Sequence, residues 1–150
     1  WAGDKVDRKS TSGACQFIGR SLVSWSSKKQ NSTSISTAKA EYIAAASCCA
    51  QLLWMRQTLK DYDVSLGTVS LLCDNESAIK IAHNPVQHSR TKHIDIRHHF
   101  LHDHVANGNI SLTYVGTNDQ LADIFTKPLD EARFVKLRGE LGVLDPKNLV

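Results

Sequence analysis

From Ala38 to Leu59 the chain runs without a glycine or a proline, and no other stretch limits its fold as much. Such a run suits a helix of several turns, and Ser36 or Thr37 stands where an N-cap is wanted. Within it Glu41, Ala45, Cys48, Leu52, Met55 and Leu59 recur at alternating i+3 and i+4 spacings, so they share one stripe. The stripe is apolar except at its first member. It predicts a core-facing line headed by Glu41. A helix with such a face needs a partner layer, and the flanking sequence supplies strands.

Two short strands precede the helix. Ser12 to Ile18 and Ser21 to Trp25 are joined by Gly19-Arg20, a sequence for a tight hairpin. Ser32 to Ser36 alternates β-branched residues and is expected to pair beside them. After the helix, Val69 to Cys73 is a short apolar run, expected to be a strand buried on both faces. Glu76 to His83 reads as a helix stopped by Asn84-Pro85, and residues 86–92 as a polar, basic loop. His93 to Ala106 is a further helix closed by Asn107-Gly108. Ile110 to Val115 is a strand, Gln120 to Lys127 a helix ended by Pro128, and Asp130 to Leu141 the last helix, followed by a loose tail. The order predicts an α/β fold with a mixed sheet covered by helices. One domain over residues 1–141, with a tail at 142–150, suits 150 residues of which 41% are hydrophobic.

The same strand poses the chemical question. Val69 to Cys73 ends at once in Asp74, at the strand end where open α/β sheets place their ligand sites. Glu41 heads the apolar helix stripe, and Asp123 interrupts an apolar context, Leu121-Ala122-Asp123-Ile124-Phe125. A carboxylate held against apolar surroundings is costly unless it is paired, hydrogen-bonded or metal-bound. Hard oxygen ligands of this kind suit Mg²⁺ or Mn²⁺. Each acid also has a plainer role. Asp74-Asn75 would cap the helix at Glu76, Glu41 would favour the helix dipole, and Asp123 would sit on the surface of a short helix.

Four blocks resemble one family: STAKAEYIAAA, LLCDNESAIKIAHNP, RTKHIDIRHHFLHD and YVGTNDQLADIFTKPL. They are similar to the ribonuclease H domain of copia-type LTR retrotransposon Pol polyproteins, from Trp1 to about Leu141. The resemblance implies a five-stranded mixed sheet flanked by helices. It also implies metal-dependent hydrolysis of the RNA strand of RNA–DNA hybrids during reverse transcription. Glu41, Asp74 and Asp123 match three of the family's four catalytic, metal-binding carboxylates, with Mg²⁺ or Mn²⁺ as cofactor. The fourth lies on a first strand that in the family directly precedes Trp-Ala-Gly. Here that triplet is residues 1–3, so the strand and its Asp are expected to be absent and the chain inactive or weakly active. The alternative is a non-catalytic nucleic-acid-binding or interaction module derived from such a domain. Expected partners are the hybrid and the reverse transcriptase domain of the same polyprotein, and no membrane. The expected location is intracellular, in cytoplasmic virus-like particles by resemblance, with the nucleus as the alternative.

Other residues are candidates for contacts to nucleic acid. Arg90, Lys92 and His93 lie within or beside the third block, and Lys28-Lys29 follows the hairpin. Their cations would give sequence-independent affinity for phosphates; an ordinary solvated loop is the plainer reading of each. Thr117 or Asn118 is expected to position a water or phosphate where related enzymes carry a mobile histidine. All seven histidines fall between His83 and His104, but without the Cys/His spacing of a zinc site. Trp1, Trp25 and Trp54 are expected to pack rather than stack on bases. The four cysteines, with no CxxC among them, are expected to be reduced thiols.

Overall fold

The computed structural model describes Gly3, residues 6–84 and residues 92–145, with the backbone alone for residues 92–98. Trp1 and Arg90 therefore lie outside the described residues, as do the side chains of Lys92 and His93. The chain divides into two compact units, Trp1–Thr33 with Asn118–Val150, and Ser34–Thr117. Together they hold a mixed α/β fold, with one small antiparallel and one small parallel sheet among the described residues and four α-helices. That is consistent with a ribonuclease H-like arrangement.

The first unit is built on the hairpin β1 (Thr11–Ile18) and β2 (Ser21–Lys29), paired antiparallel from Thr11↔Lys29 to Ile18↔Ser21. The turn falls at Gly19-Arg20. Gly19 has φ 61°, the left-handed conformation that glycine adopts at little cost at the first loop position. Gln16 pairs with Ser24 and Phe17 with Leu22, so the register shifts there and Val23 of β2 is the extra residue. β2 runs on to Lys29, so Lys28 and Lys29 are strand residues and not a turn. Gln30 continues the pairing; its N–H donates to the Ser10 carbonyl at 2.8 Å and its Nε2 to Ser12 Oγ at 2.9 Å. Ser32 to Ser36 does not form the expected strand. Ser36 is instead the N-cap of the following helix, accepting from the Lys39 N–H at 3.2 Å. A hydroxyl used this way ends the extended segment and starts the helix at Thr37.

Against the hairpin lies the 3₁₀ turn Leu121–Phe125, which replaces the expected α-helix over Gln120 to Lys127. Gln120 caps it through Ala122 N–H, and the Thr126 N–H returns to the Asp123 carbonyl at 3.0 Å, closing it within five residues. The rings of Trp25 and Phe125 stack with centroids 5.2 Å apart and planes 10° from parallel. Gly13 on β1 faces the same turn. A Cβ there would lie 2.6 Å from the Ala122 carbonyl oxygen and 2.7 Å from Thr126 Cγ2. Helix α4 (Glu131–Glu140) is capped by Asp130 and buries Leu137, with Leu141 buried at its end.

The second unit centres on α1 (Thr37–Asp61). Its most buried residues are Ala40, Tyr42, Ile43, Ala45, Ala46 and Cys49. The core seam is thus turned somewhat from the expected line: of the expected stripe Ala45 is buried, Cys48 and Leu52 are partly buried against the core, and Glu41 is partly exposed. Trp54, expected to pack, is 63% exposed. β3 (Val69–Cys73) and β4 (Ile110–Tyr114) pair in parallel, Val69↔Ile110 to Cys73↔Tyr114. Helices α2 (Glu76–His83) and α3 (Lys92–Ala106) connect them. Tyr42, Cys49, Leu71, Cys73, Ala78, Leu101 and Ile110 share one apolar cluster. β3 corrects the expectation of burial on both faces. Leu71 and Cys73 point into the core, whereas Leu72 is 55% exposed, because the side chains of a strand alternate and the unit's apolar cluster lies on the Leu71 side.

A polar network ties α1 to the sheet. Arg56 Nη1 donates to Asn109 Oδ1 at 3.1 Å, and Asn109 Nδ2 lies 3.2 Å from His104 Nδ1. Arginine can only donate, so Asn109 Oδ1 is the acceptor and Nδ2 the donor. The chemistry therefore assigns His104 Nδ1 the acceptor role.

Candidate functional site

Asp74 follows the last residue of β3. The ladder reaches that end in full register, since the Val115 N–H donates to the Cys73 carbonyl at 3.1 Å. Asp74 and the segment from Val115 to Thr117 thus leave the parallel strands at the same, carboxyl end. The capping role expected of Asp74-Asn75 belongs to Asn75, whose side chain accepts from the Ala78 N–H at 2.9 Å. Asp74 precedes the cap and is partly exposed.

Glu41, on the first turns of α1, reaches the same neighbourhood, and the buried Cys73 thiol registers both carboxylates. Burial pushes that thiol up to about 11, and the negative charges of Glu41 and Asp74 add to the rise, against a smaller lowering from the backbone at Asn75. Cys49 is likewise raised to about 11, by burial and then by Cys48. Burial also holds Tyr42 up at about 12, with Asp103 and Cys49 contributing. Both thiols stay protonated when folded. Their stabilising contribution is complete below pH 9, where unfolded thiols begin to ionise, and falls as pH rises from there through about 11. Alkylation of the folded protein at pH 8 should therefore spare Cys49 and Cys73 relative to Cys15 and Cys48, which are partly exposed. Equal labelling of all four, read by peptide mass, would contradict this burial.

Asp123 belongs to the first unit. It sits inside the 3₁₀ turn, 8% exposed, and not on the surface of a short helix. Two cations take its Oδ2, Arg133 Nη2 at 2.6 Å and Lys127 Nζ at 2.9 Å. Lys127 stands four residues on, a spacing legible in the sequence; Arg133 comes from α4 and had no local signal. Gly13, which lets β1 approach the turn carrying Asp123, was missed for the same reason.

The remaining candidates vary. Lys28 and Lys29 are both exposed on β2, and Lys29 Nζ is 2.9 Å from Asp7 Oδ2, which partly spends its charge. Thr117 ends the second unit, exposed. Asn118 begins the next segment, its carbonyl 3.5 Å from Lys136 Nζ, which also bonds Asp119 at 2.9 Å. Among the described histidines, His102 Nδ1 lies 2.8 Å from the Ala82 carbonyl oxygen, a structural role. No group of three or more His, Cys, Asp or Glu side chains among the described residues is placed to hold a metal ion. Asp123 is already balanced by two cations within its own unit, so its immediate surroundings there do not fit a divalent cation. No described helix is long and apolar enough to cross a membrane.

No family model and no solved structure matches the chain. Its relatives among curated proteins include several polyproteins of mobile elements. The retrovirus-related Pol polyprotein from transposon RE1 of Arabidopsis thaliana is 40% identical over 144 residues, covering 95% of this chain. That from transposon RE2 of the same plant is 39% identical over 96% of the chain, and that from transposon TNT 1-94 of Nicotiana tabacum 34% over 89%. The chain is therefore homologous to one segment of the copia-type, retrovirus-related Pol polyproteins. It spans about a tenth of the length of these relatives, each matched over 10% of its own length.

Proposed function

We propose that the chain is the ribonuclease H portion of a copia-type Pol polyprotein, acting on the RNA strand of an RNA–DNA hybrid during reverse transcription. What supports this most is Asp74: a carboxylate at the carboxyl end of a parallel strand, released from capping by Asn75, with Glu41 brought to the same thiol. Acids so placed suit phosphodiester chemistry better than packing. Mg²⁺ or Mn²⁺ belongs to the proposal, with Glu41, Asp74 and Asp123 as its ligands. Glu41 and Asp74 belong to one unit and Asp123 to the other, and no step through a cation is derived from them. Lys28, Lys29, Arg90, Lys92, His93, Thr117 and Asn118 are proposed to contact nucleic acid, where cations would add salt-dependent affinity and polar side chains would reach phosphate or 2′-hydroxyls. The reverse transcriptase domain of the same polyprotein is the proposed partner, and a cytoplasmic virus-like particle the proposed setting.

One observation favours a second reading, a nucleic-acid-binding module without catalysis. Asp123 is committed to Arg133 and Lys127.

A hybrid with labelled RNA strand separates the two. It is presented, in Mg²⁺ or Mn²⁺, to a Pol polyprotein fragment carrying this chain. The expected result is cleavage of the RNA strand alone, reduced to background by Asp74→Asn and by Glu41→Gln. Hybrid bound but left uncut selects the second reading. Cleavage that survives both substitutions removes the ribonuclease H reading.

A further inference from the structure

We propose that the face of the β1–β2 hairpin carrying Ser24, Ser26 and Lys28 binds the phosphodiester backbone of nucleic acid without regard to base sequence. This rests on the nucleic-acid reading above, and adds to it the face, the groups and the part of the polymer they meet.

Charge along the chain points to an anion. Between Asp7 and Glu41 there is no acid, while Arg8, Lys9, Arg20, Lys28, Lys29 and Lys39 all fall there. Over the whole chain basic and acidic residues nearly balance, 18 to 15, so this acid-free run is a local bias.

Pairing then sorts the two faces of the hairpin. Ser12 stands opposite Lys28, Ala14 opposite Ser26 and Gln16 opposite Ser24; Gly13 stands opposite Ser27 and Cys15 opposite Trp25. Directly opposed residues share a face. The 3₁₀ turn packs on the Gly13–Trp25 face, where a Gly13 Cβ would meet Ala122 and the Trp25 ring meets Phe125. The Lys28 face is turned away from it. Along the regular pairing that face holds no side chain more apolar than Ala14, so it suits a polar partner and not a core. Its open part follows β2: Ser24 is half-buried, and Ser26 and Lys28 are exposed.

The groups on this face donate. Ser12 Oγ accepts from Gln30 Nε2 at 2.9 Å, which leaves its own O–H to give. Lys28 makes no ion pair among the described residues, whereas Lys29, on the opposite face, lies 2.9 Å from Asp7 Oδ2. Alternate residues of a strand stand about 7 Å apart, near the spacing of successive phosphates along one nucleic-acid strand. Ser24, Ser26 and Lys28 offer two hydroxyls and a cation at that repeat. Short serine side chains on a flat face reach phosphates, which project from the polymer, and not base edges inside a duplex.

The probe is an RNA–DNA hybrid of mixed sequence, bound by the full 150-residue chain in EDTA so that no cleavage intervenes. Fluorescence anisotropy follows affinity over a range of salt, and circular dichroism confirms each fold. Lys28→Gln should weaken binding severalfold and lower the slope of log affinity against log salt by about one, the loss of one phosphate contact. Lys29→Gln should lower that slope by less than half as much. Ser26→Ala should weaken binding with the slope unchanged, because a hydroxyl carries no charge. A hybrid of unrelated sequence should bind equally well. Unchanged affinity and slope in folded Lys28→Gln overturns the proposal, as does an equal effect of Lys29→Gln or a preference for one sequence. Poly-glutamate that competes as well as unlabelled hybrid, charge for charge, also overturns it in favour of an acidic protein partner. Should Lys28→Gln fail to fold, Ser26→Asp decides: a severalfold loss of affinity supports the proposal and none overturns it. Cleavage by the polyprotein fragment is read separately through Asp74→Asn, so the nuclease reading and this surface fail independently.

Discussion

Replacing Gly13 by valine is expected to be the most damaging single change in the hairpin unit. The added Cβ would meet the Ala122 carbonyl oxygen at 2.6 Å and Thr126 Cγ2 at 2.7 Å, and the Phe125 Cβ at 3.1 Å. Two of these three are main-chain or first side-chain atoms and cannot rotate away. The turn would have to back off the strand. Overpacking of this kind costs on the order of 1–3 kcal/mol for modest insertions. Gly13→Ala should fall in that range and Gly13→Val above it. The displacement would also pull Phe125 from Trp25, whose rings stack at 5.2 Å, so tryptophan fluorescence should report the change before the unit melts. A Gly13→Val chain with unchanged urea midpoint and unchanged Trp25 emission would mean that β1 and the turn do not approach as described. The consequence reaches the candidate site, because the turn that Gly13 admits is the one that carries Asp123.

The second large effect separates two neighbouring leucines. Leu71→Ala should destabilise by about 2–4 kcal/mol, because the side chain is buried in the cluster with Tyr42 and Leu101 and leaves a cavity. Leu72→Ala should change stability by no more than about 0.5 kcal/mol, because its side chain is largely exposed. Thermal melts of both variants check this. Comparable losses at the two positions would return β3 to a strand covered on both faces, and would mean that something packs on the side holding Leu72, Ser70 and Thr113. The Ser70–Thr113 hydroxyl pair, 3.2 Å apart on that side, already shows that this face prefers polar neighbours.

Those two leucines also illustrate how far a sequence can be read. VSLLC reads as a strand, and it is one. Yet both leucines have the same apolar character, and the one local hint of which face is covered is Ser70, polar and on the side of Leu72. The long helix behaves likewise. Its existence and its Ser36 cap were legible, because a cap is settled between a hydroxyl and an N–H three residues away. Its buried line was not, since a helix with Ala40, Ala44, Ala45, Ala46, Cys48 and Cys49 is apolar almost all round, and the neighbours choose the face. Ser32 to Ser36 failed for a related reason. β-branched alternation is a weak preference that depends on a partner strand at hand.

The sequence by itself determined the β1–β2 hairpin with its Gly19-Arg20 turn, the four α-helices in their order, and the placement of Asp74 at a strand terminus. All of these are settled by hydrogen bonds and backbone preferences spanning a few residues. Only the tertiary structure decided that Asp123 is buried, that Arg133 of α4 joins Lys127 on its carboxylate, and that Gly13 makes room for the turn that carries it. Charge pairing, burial and close approach depend on groups far apart along the chain, and no local pattern encodes which of them will meet.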